Sequence, residues 1–135
     1  MPTNQKRANW VKRGFAGIPR VVMDTDDFKG LSGGAVKALL WLVYQYNGKN
    51  NGDLSATESM AKSWGIASPQ TLSRALKALQ EVNLVVKTRE GMFLNPGGKC
   101  TLYALTWRPI NVCNGKLDCE PTKKAPRSFE VKNKK

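Results

Sequence analysis

The sequence predicts an α+β fold: a core of three helices followed by a C-terminal β-hairpin, with a basic tail at each end. Three observations predict it. Apolar side chains recur at helical spacing over residues 32–46, 55–64 and 68–80, and each stretch opens on a serine suited to an N-cap. Two runs rich in β-branched and aromatic residues, 84–89 (LVVKTR) and 101–107 (TLYALTW), flank the turn tetrapeptide Asn95-Pro96-Gly97-Gly98. The cations gather at the ends: residues 1–20 hold five and no acid, and residues 108–135 hold eight against three acids.

Taken in order, residues 1–19 show no sustained periodicity and read as a basic flexible arm, pinned by Trp10 or Phe15. Arg20–Met23 is a short apolar piece suited to a strand. DTDDFKG (24–30) suits a helical turn with carboxylates at its positive end. Ser32 caps the first core helix, whose stripe is Val36, Leu39, Leu40 and Val43. Trp41, Leu42 and Tyr44 lie off that stripe, so this helix is either central to the core or meets a partner subunit with its second face. Residues 47–52 (NGKNNG) are turn chemistry, and 53–55 leaves room for a very short strand. Ser55-Ala56-Thr57-Glu58 fits a capping box for the second helix, which carries Met60, Ala61 and Trp64 and ends at Gly65.

Ser68 and Pro69 fit N-cap and N1 of the third helix. Its inward set is Leu72, Ala75, Leu76 and Leu79. Its outward set is Gln70, Thr71, Ser73, Arg74 and Lys77. The two strand-like runs then pair as a hairpin with a long tip, ended by Arg108-Pro109. Met92 and Phe93 in that tip either fold back on the core or form a protein contact. The expected organisation is therefore an arm over 1–19, a domain over 20–109, and a basic extended or disordered tail over 110–135.

Composition narrows the chemistry. The chain has 135 residues, a net charge of +12 and no histidine. Neither a Ser-His nor a Cys-His nucleophile is possible. Three cysteines with no CxxC spacing do not form a zinc site, so no metal and no cofactor are expected. Asp24, Asp26 and Asp27 have a simpler use at a helix start than in a metal-dependent nuclease. The chain is not expected to be an enzyme, and no pocket for a small molecule announces itself. The longest apolar run, 38–44, is too short to span a bilayer, and no signal peptide is apparent. A cytoplasmic protein associated with the nucleoid is the expectation. Basic tails and a basic half from residue 68 onward point to a polyanion as partner.

The element order and three residues carry a resemblance. In the helix-turn-helix pattern a small residue stands four positions before a glycine, with an aliphatic after it; here these are Ala61, Gly65 and Ile66. Followed by a hairpin, they make residues 31–107 resemble the winged helix-turn-helix. One departure is that Leu72 follows Gly65 by seven positions rather than six, so the turn is one residue longer. The phrases YNGKNNGDLSAT, WGIASPQTLSRALKAL and LYALTWRPI are similar to short winged-helix proteins of phages, prophages and plasmids. That resemblance implies a DNA-binding regulator or a relative of replication-initiator domains.

The expected function is sequence-specific binding of double-stranded DNA, as a transcriptional regulator of a phage or mobile element. The alternatives are a replication-initiator-type DNA-binding protein and a winged helix used for protein–protein interaction. A helix in the major groove reads bases from its first turns; Gln70 suits adenine and Arg74 suits guanine. Thr71, Ser73 and Lys77 suit phosphates, as does Ser68 with the free N–H groups of the helix start. Lys87, Arg89 and Lys99 on the wing suit the backbone or the minor groove, and Arg13 and Arg20 suit a minor groove reached by an arm. A homodimer is possible, with Trp41, Leu42 and Tyr44 as its hint.

Overall fold

The structure is a computed structural model in which residues 13–66, 68–91 and 99–129 are described. Two single-turn helices lead in. The backbone amides of Val22 and Met23 donate to the carbonyl of Pro19, at 3.0 and 3.2 Å, and start α1 (Arg20–Met23). This is a helical turn and not the strand that the sequence suggests. Two valines favour extended backbone, but the helical turn places Val22 wholly in the core, and burial outweighs that preference. Thr25 then caps α2 (Asp26–Lys29) by accepting from Phe28, with two carboxylates in the first turn as the sequence predicts.

The core helix α3 (Gly33–Gln45) begins at Ser32, whose hydroxyl accepts from the amide of Ala35 at 3.1 Å. Its buried face is Ala35, Ala38, Leu39, Leu42 and Val43. This face is rotated from the expected stripe: Leu40 is exposed, and Leu42 is fully buried. Small residues decide this. Ala35 and Ala38 let α5 (Pro69–Glu81) approach closely, and α3 and α5 form the most extensive helix pair in the molecule. A stripe chosen by side-chain bulk passes over them.

β1 (Leu54–Ser55) is two residues long, and its outer edge is closed by α3. Gln45 accepts from the amide of Ser55 at 3.1 Å and donates to its carbonyl at 2.7 Å, while the Trp41 indole donates to the same carbonyl at 3.0 Å. Side chains thus satisfy an edge that would otherwise be open for pairing. The capping box at Ser55 does not form, because Ser55 belongs to this strand. Thr57 is the N-cap of α4 (Glu58–Ser63), and Glu58 falls at its first position.

β2 (Val85–Arg89) and β3 (Leu102–Leu105) form the antiparallel hairpin, and β1 adds on the far side of β3, giving the order β1-β3-β2. Val85 faces Leu105, Lys87 faces Tyr103 and Arg89 faces Leu102, so Thr88 is an extra residue between the last two pairs. This bulge turns Thr88 inward, where its hydroxyl donates to the carbonyl of Gly52 at 2.6 Å.

Asn51 organises the region under the sheet. It is fully buried, its Nδ2 donates to the carbonyls of Leu105, Arg108 and Pro109, and its Oδ1 accepts from the amide of Leu105. Next to it, Gly52 has φ +118°, and the Leu117 side chain lies so near that a Cβ at Gly52 would meet it at 2.7 Å. Only glycine fits there.

Residues 110–129 lie against the domain, where composition predicts an extended or disordered tail. Apart from one 3-10 turn (Cys113–Gly115) they have no regular structure, but hydrogen bonds fasten them in series. Asn111 and Asn51 exchange bonds of 2.9 and 2.8 Å. The amide of Asp118 donates to the carbonyl of Thr88, and that of Arg127 to the carbonyl of Thr106. The Arg127 guanidinium reaches the carbonyls of Val82 and Asn83 and pairs with Asp27 at 2.8 Å. Lys, Pro and Asn make this stretch read as a tail; buried Ile110 and the Leu117 and Phe129 side chains anchor it.

Candidate nucleic-acid interface

The bend before α5 is built by three residues. Ala61 and Ile66 are buried, and Gly65 sits at φ +82°. The amide of Ile66 donates to Ala61 and that of Gly65 to Lys62, which ends α4 in a Schellman motif. The chain emerges at Ser68, whose Oγ accepts from the amide of Thr71 at 3.1 Å and shares a 2.8 Å hydrogen bond with the Thr71 hydroxyl. Pro69 follows at the first helical position, where no amide donor is needed.

α5 is strictly two-sided. Leu72, Ala75, Leu76 and Leu79 are buried, and Gln70, Thr71, Ser73, Arg74 and Lys77 are exposed, as the spacing predicts. Gln70, Ser73, Arg74 and Lys77 make no side-chain hydrogen bond or ion pair among the described residues. Thr71 differs, since its hydroxyl is engaged with Ser68. Both hydroxyls at the helix start therefore already serve the cap.

The hairpin stands beside this helix. A single groove is lined by Pro69, Leu72 and Ser73 of α5, by Lys99, Thr101 and Tyr103 of the wing, and by Glu58 of α4. Tyr103 is pushed above the ordinary phenol value, first by burial and then by the charge of Glu90, and so stays a neutral group in the groove wall. The wing cations differ in availability. Lys87 pairs with Glu90 at 3.2 Å. Arg89 folds back, donating twice to the carbonyl of Cys100 at 3.1 and 2.8 Å. Lys99 is exposed at the end of the wing. The tip residues Met92 and Phe93, and Trp10 of the arm, lie outside the described residues.

The two arginines assigned to an arm sit apart from this groove. Arg13 donates to the Tyr44 hydroxyl at 3.3 Å, and Arg20 is an exposed residue at the start of α1. Lys62 is not among the residues that the sequence singles out. It lines a cavity with Ser68 and Pro69, adding a cation at the mouth of α5. Its signal is available in the chain: it lies three residues before the bend glycine, on the helix that must cross beside α5.

The off-stripe residues of α3 make contacts within the chain. Leu42 is core, and Trp41 and Tyr44 stack with ring centroids 5.7 Å apart. Among the described residues no helix is long and apolar enough to cross a membrane.

No curated protein and no solved structure gives a match. A family model does, over residues 16–125: "Firmicute plasmid replication protein (RepL)". That span holds the two leading helices, the helix-turn-helix, the hairpin and most of the docked C-terminal segment. With more than half of its length matched, the chain belongs to the RepL family of Firmicute plasmid replication proteins.

Proposed function

We propose that the chain is a replication-initiator-type DNA-binding protein that docks α5 in the major groove of a specific duplex site and lays the hairpin along the neighbouring backbone. It acts by binding, with no catalytic step of its own. One observation carries this reading: Ser73 of α5 and Lys99 of the wing line one groove, on a helix whose Arg74 and Lys77 have no internal partner among the described residues. An exposed face with two unpaired cations beside a cationic ribbon suits a polyanion. Membership of a plasmid replication family favours the initiator role over the transcriptional regulator.

Gln70 and Arg74 are assigned to base edges, and Ser73, Lys77 and Lys99 to phosphates. Ser68 and Thr71 contribute by holding the helix start, where the amide of Gln70 is not used by the cap and faces the backbone. Lys87 and Arg89 are further backbone contacts, and Arg89 supplies only the donors that Cys100 leaves over; Arg13 and Arg20 lie apart from this surface.

Selection of a site from random duplex, followed by gel shift, tests this. Arg74→Ala with Lys77→Ala is expected to abolish the specific shift; one bidentate arginine–guanine pair is worth about 1–3 kcal/mol of discrimination. For every phosphate that the variant no longer neutralises, the plot of log affinity against log salt should also flatten by about 0.9. A double variant that binds as wild type does would remove α5 from the interface. Loss of plasmid maintenance in the same variant, with neighbouring promoters unchanged, separates initiator from regulator.

A further inference from the structure

A second surface shares no lining residue with the groove beside the wing. It follows the outer side of α3 and the loop after it. Lys37, Trp41 and Tyr44 recur at i, i+4 and i+7, hence on one face. Trp41 and Tyr44 stack with an interplanar angle of 19°, and Trp64, from the bend before α5, packs against both with ring centroids at 5.0 and 5.5 Å. The bond from the Trp41 indole to Ser55 fixes the cluster from below. Tyr44 nevertheless stays 51% exposed.

Cations punctuate this row of rings. The Lys37 ammonium lies against Gly65, next to Trp64 in the chain. At the other end the surface becomes concave, with Tyr44, Tyr46, Arg13 and Arg108 among its walls. The guanidinium of Arg108 stands over the Tyr46 ring at 5.6 Å from its centroid, and that of Arg13 donates to the Tyr44 hydroxyl. No acidic residue lines this cavity among the described residues.

Internal packing accounts for the inner edge of Trp41, but not for a half-exposed tyrosine between two arginines and a lysine. A second copy of the chain on this face would bring like charges together. Duplex DNA hides its base faces. A single strand offers both complements at once: π-faces for the rings and phosphates for the cations. We infer that this aromatic and cationic surface binds single-stranded DNA. The inference goes beyond duplex recognition by α5 and does not depend on it; together they equip one protein for a site where a duplex is opened.

The test is fluorescence anisotropy of labelled oligo(dT) of about 20 nucleotides with the full chain, at low salt. Wild type is expected to bind, and Tyr44→Ala and Arg108→Ala each to weaken binding at least about fivefold, the effect of losing one stacked base. Tyr44→Phe should keep the affinity, and thermal melts should confirm that the variants are folded. Arg74→Ala with Lys77→Ala should leave oligo(dT) binding within about twofold, since those residues lie on the other surface. The proposal is overturned if folded Tyr44→Ala binds oligo(dT) as wild type does. It is equally overturned if sedimentation reveals a dimer that Tyr44→Ala dissolves without change in oligo(dT) affinity, because the face then belongs to a second copy. An unaltered duplex gel shift in the Arg74 and Lys77 variant would instead sink only the duplex reading.

Discussion

Asn51 shows most sharply how one side chain can hold a loop, a strand end and a chain reversal together. Its amide meets three carbonyls and one N–H, of which the carbonyl and N–H of Leu105 lie in the fully buried part of the network. Each buried group left unpaired costs about 1–3 kcal/mol. Asn51→Ala is therefore expected to lower stability by about 3 kcal/mol or more in denaturant titration. Asn51→Asp should be worse at neutral pH and partly recover on acidification, because a carboxylate would face three carbonyl oxygens and only its protonated form can donate. Asn51 sits within NGKNNG, which reads only as a turn. The composition shows that a turn is there; which of its asparagines points inward depends on partners more than fifty residues away.

Cys113 is partly buried, with Asp53 and Lys116 both acting on its thiol. Burial first, and then the charge of Asp53, raise its thiol above the ordinary value, against the opposing pull of Lys116. The folded state therefore holds this proton more tightly than the unfolded chain. Stability is unaffected below the ordinary thiol range and falls as pH rises through it. Alkylation at mildly alkaline pH, followed by mass spectrometry, should label exposed Cys100 and Cys119 well before Cys113.

At the scale of elements, α5 is legible almost completely. Its cap, its proline, its four buried residues and its five outward residues all follow from spacing, because an amphipathic helix carries its own periodicity. Its stability depends on both ends. Ser68→Ala is expected to cost about 1 kcal/mol in thermal or denaturant unfolding, since it removes the acceptor for the Thr71 amide. The other end is not legible. Asn83 at φ +58° closes a second Schellman motif, and the guanidinium of Arg127 covers the last carbonyls. Nothing local announces a partner more than forty residues downstream. The same limit explains α3, where the period is right and Leu39 and Val43 are buried as expected, but the face is rotated: close approach to α5 rewards alanine, and bulk alone does not reveal it.

For the whole molecule, the order of helices and strands is readable and the closure is not. Charge and composition mark residues 110–129 as tail-like, because most of their side chains are polar. Their backbone amides, to which composition is blind, do much of the fastening. Truncation after Pro109 should therefore destabilise the domain severely and not merely trim its affinity for DNA. Circular dichroism melts of the shortened chain against the full one check this; equal melting temperatures would show the segment to be dispensable.

The partners of Asn51 also set an order of events during synthesis. Residues 13–66 can leave the ribosome and form α3, yet the loop at 51 finds no acceptors until residues 105–109 emerge, and Arg127 seals α5 later still. Folding of this domain is thus held back until nearly its whole length has been translated. A nascent chain stalled at about residue 100 should be cut readily by protease, and one extended past 129 and a further length sufficient to clear the exit tunnel should resist it.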